Sequence, residues 1–205
     1  MITIADYGTG NLASIQNMLK RINVDSITSS DFDIISKAER LILPGVGAFD
    51  TCAGRLRETG ILPLLEQKVL HEKVPVLGIC VGMQLMLSGS EEGLATGLNW
   101  IPGKVQKFDA TRLPASFKIP HMGWTEVKEK KQTSLLADMH DTPRFYFVHS
   151  YHAVPENTEH TLMAADYGYE FAAAIQKDNI VGVQFHPEKS HRFGMKLLEN
   201  FVKNF

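Results

Sequence analysis

The sequence predicts an α/β fold, with one domain built on a doubly wound, mixed β-sheet, helices on both faces and antiparallel strands in the second half. Over roughly the first 90 residues, short apolar runs alternate with amphipathic segments, which is typical of parallel strands joined by helices. In the second half, turn residues separate the apolar runs, which favours antiparallel pairing. No linker, repeat or charge run divides the 205 residues, so a single domain over residues 1–205 is expected.

The elements of the first half follow from apolar periodicity and from capping and breaking residues. The continuous apolar run Val74–Ile79 predicts a strand buried on both faces of a parallel sheet. Asp31 precedes an amphipathic segment and can cap its first turn, while Pro44 and Gly45 end the strand before them. In order, the predicted elements are strand Ile2–Ala5, helix Asn11–Ile22, strand Val24–Ile27, a short helix from Asp31, strand Arg40–Leu43, helices Asp50–Thr59 and Leu62–Glu72, and strand Val74–Ile79.

The second half is predicted to contain short strands and one closing helix. Its apolar runs are bounded by Gly, Pro, Asn and Asp, which favour turns. The stretch Val127–Met139 contains the charged run KEKKQ and is expected to be a solvated turn region. The predicted elements are strands Ile101–Phe108, Gly123–Lys128, Arg144–Val148, Thr161–Ala165, Phe171–Gln176 and Ile180–Gln184, and helix Phe193–Phe205.

Composition excludes several classes of protein. The formal net charge is −2 and the basic residues are scattered, so neither a nucleic-acid face nor a polybasic membrane patch is indicated. Two cysteines cannot form a secreted disulfide framework, and a reduced, cytoplasmic location is expected. The N-terminus does not resemble a signal peptide, and no apolar run approaches the roughly 20 residues that span a bilayer.

Cys80 is the first candidate catalytic residue, because it lies between Gly78 and Gly82 where a strand pattern gives way to a helix pattern. This arrangement is typical of a nucleophile elbow, in which the nucleophile occupies the apex of a sharp and often strained turn. The positive end of the following helix would favour the reactive thiolate, and the Val81 N–H would face a developing oxyanion. A buried structural cysteine is the alternative for Cys80, and plain packing is expected for Cys52.

A cysteine nucleophile needs a base and a group that orients the base, and both are found after the strand IVGVQ. His186 and Glu188 are two residues apart, a spacing that places both side chains on one side of an extended segment. Pro187 favours that extended conformation at His186. A surface loop with an incidental charged pair is the alternative, but the elbow beside it favours a catalytic pair.

Three further patterns bear on ligand binding. The two glycines of LPGVGAF allow Val46 or Gly47 to turn a backbone N–H toward an oxyanion, although an ordinary β–α turn fits as well. The G-x-G-x-x-A pattern from Gly8 is a weak dinucleotide signal, because no second strand ends at the required acidic residue. His149 and His152 form an H-x-x-H pair without a third ligand at suitable spacing, so no metal site is predicted. His71, His140 and His160 are expected to be solvated.

Six motifs together resemble one protein family. GICVGMQ, LPGVGAF and FHPEKS are similar to motifs of the class I (triad-type) glutamine amidotransferases. ADYGTGNL, PHMGW and FVHSYH resemble, within that class, the glutaminase subunits of imidazole glycerol phosphate synthase. The motifs extend from Ala5 to Ser190 in the family's order and jointly are highly specific. The resemblance implies the class I amidotransferase fold over the whole chain.

The resemblance also implies a reaction and the residues that perform it. Cys80 would attack the side-chain amide of glutamine, release ammonia and leave a glutamyl thioester, which water would hydrolyse to glutamate. His186 would move the protons and Glu188 would orient it, with no dissociable cofactor. The family's pattern places the oxyanion hole at Val81, Val46 and Gly47, and the glutamine contacts at Gln84, Gly45, His149, Ser150 and Tyr151.

A partner is implied as well, because a glutaminase acting alone would waste ammonia. In the family, the ammonia passes to a (β/α)8 cyclase subunit in a heterodimer that makes imidazole glycerol phosphate and AICAR in histidine biosynthesis. The positions matching that interface are Asn11, Met122, Trp124 and Lys189. Their alternatives are a helix start for Asn11, core packing for Met122 and Trp124, and a solvated lysine.

Other roles keep the same scaffold. The tail KSHRFGMKLLENF resembles paralogues of surface-polysaccharide pathways, in which ammonia amidinates a sugar. A catalytically silent regulatory subunit and a stand-alone peptidase or γ-glutamyl hydrolase are further alternatives. The intact set of Cys80, His186 and Glu188 argues against the silent subunit. PHMGW and ADYGTGN argue against the stand-alone hydrolase, which would not need them.

Overall fold

The computed structural model describes residues 1–139 and 141–205, and His140, predicted to be solvated, lies outside this description. The helices are α1 (Leu12–Arg21), α2 (Phe32–Ser36), α3 (Phe49–Glu58), α4 (Leu62–Glu66), α5 (Val81–Leu85) and α6 (His191–Asn204). The strands are β1 (Ile2–Ala5), β2 (Ser26–Ser29), β3 (Leu41–Gly45), β4 (Val76–Cys80), β5 (Gly103–Lys107), β6 (His121–Glu129), β7 (Arg144–His149), β8 (Tyr151–Pro155), β9 (Thr161–Asp166), β10 (Glu170–Lys177) and β11 (Ile180–Val183).

One mixed sheet joins the strands, in the order β2-β1-β3-β4-β11-β10-β9-β6-β7, with β8 and β5 branching from β10. In this spatial order, the first five strands (β2, β1, β3, β4 and β11) are mutually parallel. The remaining neighbours, from β11 to β7, pair antiparallel. The chain reverses its direction of travel across the sheet at β1, so right-handed crossovers place helices on both faces. In agreement, α1 packs on α6, whereas α3 packs on α5 and α2 on α4. The predicted α/β fold with its antiparallel second half is confirmed.

The buried strands of the parallel half are the apolar runs of the sequence. All residues of β1, β3, β4 and β11 are buried, as expected for strands covered on both faces. Asp31 caps α2 as predicted, because its carboxylate accepts hydrogen bonds from the N–H groups of Asp33 (2.8 Å) and Ile34 (3.1 Å). Across the described residues, no helix has the length and apolar character that crossing a bilayer requires.

Two predicted boundaries in the first half were wrong. Val24 belongs to the turn that ends α1, because its N–H donates to the Leu19 carbonyl (3.0 Å), so β2 begins only at Ser26. The helix predicted over Leu62–Glu72 changes to a π-helical turn at Gln67–His71. The N–H of Glu72 donates to the carbonyl of Gln67, five residues back.

Two parts of the second half also differ from prediction. Tyr151–Pro155 was not predicted to be a strand, yet β8 pairs with β5 along its whole length and also contacts β10. Val127–Met139 is not a solvated turn region throughout, because β6 continues to Glu129 and both Val127 and Leu135 are buried. The side-chain amide of Asn200 on α6 holds this segment by donating to the carbonyls of Leu135 and Ala137.

Candidate active site

Cys80 is the last residue of β4 and precedes α5, at the edge where the carboxyl ends of the parallel strands meet. Its φ of 55° and ψ of −113° lie in a region that non-glycine residues rarely occupy. Such a backbone is strained and persists only where the surrounding structure enforces it. The predicted elbow geometry is therefore present at Cys80.

The glycines beside Cys80 are required by close packing. A Cβ added at Gly82 would lie 1.9 Å from the Leu43 carbonyl oxygen, and one at Gly78 would lie 2.8 Å from backbone atoms of Met83. Real Cβ atoms do not approach neighbours so closely, so a larger residue at Gly82 would push α5 away from β3, and one at Gly78 would push α5 away from β4. The two glycines let the strand-to-helix turn close tightly.

His186 and Glu188 form a buried pair. The His186 Nδ1 atom lies 2.8 Å from Glu188 Oε1, and the two side chains are 2% and 1% exposed. Burial lowers the pKa of His186, but hydrogen bonds with Cys80 and Glu188 and the charges of both outweigh it and raise the pKa to about 9. The structure thus places Cys80, His186 and Glu188 at the same edge of the sheet.

Backbone hydrogen bonds fix the segment that carries this pair. The N–H of His186 donates to the Tyr146 carbonyl on β7 (2.9 Å). The Ser190 hydroxyl donates to the His186 carbonyl (2.6 Å) and accepts from the Tyr146 N–H (3.0 Å). Because Ser190 is fully buried, these bonds hold the imidazole against the end of β7.

A cavity of about 350 Å³ opens beside Cys80. This volume is near the lower end of the range for small-molecule sites, about 300–1,000 Å³, and suits an amino acid. The lining residues are Val46, Gly47, Cys80, Val81, Gln84, Glu92, Pro120, Val148, His149, Ser150, Tyr151, His186 and Lys189. Every residue predicted for the triad, the oxyanion hole and glutamine contact lies here except Glu188, which is behind His186, and Gly45.

Gly45 is not among the residues that line the cavity, so its predicted contact with glutamine stays a prediction. It is buried at the end of β3, opposite Cys80 in the strand pairing. A Cβ on Gly45 would lie 2.5 Å from the Gly82 nitrogen and 2.9 Å from the Val81 carbonyl carbon. Gly45 therefore permits β3 to approach the elbow closely.

The loop with Val46 and Gly47 and the nearby Glu92 are each bonded to α3. Val46 is 41% exposed, but its carbonyl accepts a hydrogen bond from the buried Cys52 thiol (3.4 Å). Glu92 Oε2 accepts from the Phe49 N–H (2.9 Å), at the first residue of α3. Burial raises the pKa of the Cys52 thiol, so Cys52 stays protonated, as its predicted packing role requires.

The glycines of the G-x-G-x-x-A pattern also serve packing. Gly10 has a φ of +107°, and a Cβ there would lie 2.8 Å from the Pro44 side chain. The Tyr7 hydroxyl, in the same loop, donates to the Pro44 carbonyl. The loop after β1 is thus closed against the end of β3.

Two polar residues near Cys80 were missed by the sequence analysis. Glu92 is a carboxylate on the cavity wall, but the loop around it carries no recognisable motif. Gln184 is fully buried and its Nε2 atom lies 3.7 Å from Cys80 Sγ. Gln184 could have been found from the sequence, because it is a polar residue at the end of the apolar strand that leads to His186.

The buried histidines His121 and His149 are hydrogen-bonded to each other. His121 Nδ1 lies 2.9 Å from His149 Nε2, and His152 Nε2 lies 3.2 Å from the Tyr169 hydroxyl. Burial lowers the pKa of all three histidines, to about 4 for His121, so they are neutral at pH 7. Among the residues that the structure describes, no three His, Cys, Asp or Glu side chains could jointly hold a metal ion.

The four predicted interface residues are accessible to different extents. Met122 and Trp124 on β6 are 61% and 43% exposed, so the alternative of core packing is wrong for both. Trp124 stacks on the His191 ring, with centroids 5.6 Å apart, and Lys189 lies over the Tyr146 ring that Trp124 also contacts. Asn11 is half-buried at the start of α1, which packs on the turn that carries Lys189.

The sequence profile of the family described as glutamine amidotransferase class-I matches residues 3–205. Imidazole glycerol phosphate synthase subunit HisH 2 of Methanococcus maripaludis is 52% identical over 203 residues, covering 99% of both chains. The subunit of the same name from Pseudomonas aeruginosa is 44% identical with the same coverage. Subunit HisH of Bdellovibrio bacteriovorus is 45% identical over 201 residues, covering 98% of each chain.

Solved structures support the fold. A crystal structure named glutamine amidotransferase superposes with a TM-score of 0.74 at 15% identity, covering 99% of this chain and 98% of that one. The structure of PurLQS from Thermotoga maritima gives a TM-score of 0.68 at 18% identity, covering 98% and 96% of the two chains. At these identities the likeness concerns the fold alone.

Proposed function

The chain belongs to the class-I glutamine amidotransferase family, and on this premise we propose that it hydrolyses glutamine to glutamate and ammonia in the cavity beside Cys80. One observation carries the proposal. Cys80 occupies a strained strand-to-helix turn and lines the same cavity as His186, whose Nδ1 atom is bonded to the buried Glu188. This arrangement is a nucleophile, a base and an orienting carboxylate.

In the first half of the reaction, the Cys80 thiolate attacks the side-chain amide carbon of glutamine and forms a C–S bond. The carbonyl electrons move to the oxygen, which becomes an oxyanion. The protonated His186 donates its proton to the amide nitrogen, the C–N bond breaks, and ammonia leaves. A glutamyl thioester on Cys80 remains, with His186 neutral.

In the second half, neutral His186 takes a proton from water as the oxygen attacks the thioester carbon. The C–S bond then breaks, glutamate leaves, and the Cys80 thiolate and protonated His186 are restored. Glu188 accepts the Nδ1–H of His186 throughout and offsets its positive charge. No dissociable cofactor takes part.

The oxyanion would be stabilised by backbone N–H groups at Val81 and at Val46 or Gly47. Val81 is the first residue of α5, where N–H groups have no partner within the helix. The Gly47 φ of +96° turns its peptide in a way that other residues rarely adopt. Both segments line the cavity next to Cys80.

The opposite wall of the cavity suits the amino-acid end of glutamine. Glu92 offers a carboxylate to the α-ammonium group, and the segment of His149, Ser150 and Tyr151 offers backbone and hydroxyl groups to the α-carboxylate. Gln84 also lines the cavity, where its Nε2 atom is bonded to the Tyr151 carbonyl and to Gln184 Oε1. Its Oε1 atom is the group that we propose contacts glutamine.

Replacing the nucleophile tests the chemistry. Cys80→Ala should reduce glutamate release to background while leaving the unfolding midpoint close to that of the wild type. Cys52→Ala is the matched control, because Cys52 is fully buried and should leave measurable glutamate release. Glutamate release that persists in a folded Cys80→Ala chain would refute the assignment.

For the partner, we propose a (β/α)8 cyclase subunit that receives the ammonia in a heterodimer and makes imidazole glycerol phosphate and AICAR in histidine biosynthesis, in the cytoplasm. The names of the full-length relatives and the exposed Met122 and Trp124 support this assignment. Glutamate release should rise strongly when the cyclase and its nucleotide substrate are added together. The cyclase without nucleotide is the control. A rate of glutamate release that does not rise with the cyclase, either with or without nucleotide, would count against this partner.

A different ammonia acceptor is the second candidate. Two relatives bear the number 2 in their names, and the α6 tail resembles paralogues that serve sugar amidination. The two candidates share the same glutaminase chemistry. Two measurements distinguish them. A chain that serves another synthase would be labelled at Cys80 by a glutamine analogue, but its rate of glutamate release would not rise with the histidine-pathway cyclase. A silent subunit would fail both tests.

A further inference from the structure

We infer that Gln184 is a further catalytic residue, whose side-chain amide donates a hydrogen bond to Cys80 Sγ and stabilises the sulfur as the attacking and leaving group. The Gln184 Nε2 atom lies 3.7 Å from Cys80 Sγ, and the Gln184 side chain is fully buried at the end of β11. The Gln184 Oε1 atom accepts from Gln84, and the Nε2 atom is left to donate to the reacting sulfur, which an apolar side chain of the same size could not do. The inference rests on the proposed role of Cys80 as nucleophile.

The orientation of the Gln184 amide follows from the Tyr151 carbonyl, which can only accept hydrogen bonds. The Gln84 Nε2 atom lies 3.3 Å from that carbonyl, so the nitrogen of the Gln84 amide faces Tyr151. The same nitrogen lies 3.0 Å from Gln184 Oε1 and donates to it. With its oxygen occupied, Gln184 can only present its nitrogen to Cys80.

The other titratable groups around Cys80 do not duplicate this role. Tyr7 lies on the loop after β1 and Cys52 on α3, and burial raises the pKa of both, so both remain neutral. His186, after β11, carries a proton but loses it during the reaction. Glu188 acts only through His186. Gln184 is the donor whose proton stays in place through every step.

The expected effect concerns the thiolate more than substrate binding. A hydrogen bond to a charged group stabilises it by about 1.5–3 kcal/mol in general, which corresponds to about tenfold or more in an equilibrium constant. Gln184 does not line the cavity, and Gln184→Glu keeps the acceptor for Gln84, so contacts with glutamine should stay intact in that variant. Loss of the amide should therefore lower kcat and leave KM nearly unchanged.

The test compares the wild-type chain with Gln184→Met and Gln184→Glu. Gln184→Met keeps the length of the side chain and removes the donor, whereas Gln184→Glu keeps the shape and the acceptor for Gln84. Gln176→Met on the neighbouring β10 is the matched control, since the Gln176 amide bonds only to the nearby Asp178 carbonyl. The readouts are alkylation of the Cys80 peptide by iodoacetamide as a function of pH, and kcat and KM for glutamine.

We expect Gln184→Met to move the half-maximal pH of Cys80 alkylation up by about one unit and to lower kcat about tenfold. Gln184→Glu should move it further, because a carboxylate beside the thiolate repels it, and Gln176→Met should behave as the wild type. A folded Gln184→Met or Gln184→Glu chain with wild-type alkylation and kcat overturns the inference. Alkylation does not need glutamine, so a wild-type chain that is alkylated but releases no glutamate would refute the proposed function alone.

Discussion

His186 is subject to two opposing effects, and the balance between them determines the pH range in which the site can work. Burial lowers the pKa of the imidazole, while hydrogen bonds and opposite charges at Cys80 and Glu188 raise it to about 9. The imidazolium that protonates the leaving ammonia is therefore present below about pH 9 and is lost as the pH rises through that value. The side chains of Glu188 and His186 are both nearly inaccessible, so solvent screens this pair weakly.

Glu188→Gln should slow turnover by about a hundredfold and move the alkaline limb of kcat/KM to lower pH. The glutamine still accepts the Nδ1–H of His186 but removes the negative charge, so the pKa of the imidazole falls. The loss should remain smaller than in Cys80→Ala, because the nucleophile is intact. Glu199→Gln on the surface of α6 is the matched control. An alkaline limb that stays near pH 9 would show that Glu188 does not control the charge of His186.

At the scale of secondary-structure elements, the contact between the β4–α5 turn and the end of β3 determines whether the elbow can form. A Cβ at Gly82 would meet the Leu43 carbonyl, and one at Gly45 would meet the backbone of α5. Each element supplies one glycine, so the two backbones approach without side chains between them. The strained φ of Cys80 depends on this close approach.

Gly82→Ala should destabilise the chain by about 3 kcal/mol or more, since a Cβ 1.9 Å from the Leu43 carbonyl oxygen forces β3 and α5 apart. Gly54→Ala within α3 is the control for the same substitution, because nothing lies within 4 Å of its Cβ position. Gly54→Ala should stabilise the chain by about 0.5–1 kcal/mol. Urea unfolding of both variants measures the difference, and equal midpoints would contradict the packing argument.

A second contact between elements connects β6 and β7 behind the cavity. The Tyr151 carbonyl accepts the Nδ1–H of His149 (2.7 Å), so neutral His149 accepts at Nε2 from His121. His121 in turn accepts at Nε2 from the Thr125 hydroxyl (2.8 Å). These bonds fix one tautomer for each histidine and fix the position of His149, which lines the cavity.

His121→Phe should therefore raise KM for glutamine and destabilise the chain by about 2 kcal/mol. A phenylalanine keeps the stacking with Phe147 and Tyr167 but leaves the buried His149 Nε2 without a donor. Thr125→Val, which removes only the outer donor, should have a smaller effect on both quantities. Kinetics and urea unfolding of the two variants check this order, and an unchanged KM in His121→Phe would remove its positioning role.

At the scale of the whole molecule, local patterns predicted the fold class and the site that it carries. The apolar strand before Cys80 and the short segment from His186 to Glu188 are each continuous along the chain, so their chemistry is visible in the sequence. Gln184 and Gln84 are 100 residues apart, and Glu92 and Phe49 are 43 apart, and such contacts arise only from the strand order. The single domain over residues 1–205 and the individual site roles stay predictions.

The exposed face of β6 is expected to dock the partner subunit. Trp124→Ala should weaken the complex by about tenfold or more, since large aromatic residues at interfaces often contribute at least 2 kcal/mol, and should leave the isolated chain folded. Phe32→Ala is the control, because Phe32 is also exposed but lies on α2 in the other half of the sheet order. Titration of the cyclase with each variant measures the affinity. Unfolding of Trp124→Ala would instead assign Trp124 a structural role.

Trapping the covalent intermediate tests the central claim most directly. The chain, together with the histidine-pathway cyclase proposed as its partner, would be mixed with glutamine, quenched in acid and digested. The mass of the peptide containing Cys80 would then be measured by mass spectrometry. We predict that this peptide gains the mass of one glutamyl group, that the Cys52 peptide does not, and that the adduct disappears as glutamate is released. Glutamate release without any adduct on Cys80, or an adduct on another residue, would contradict the account.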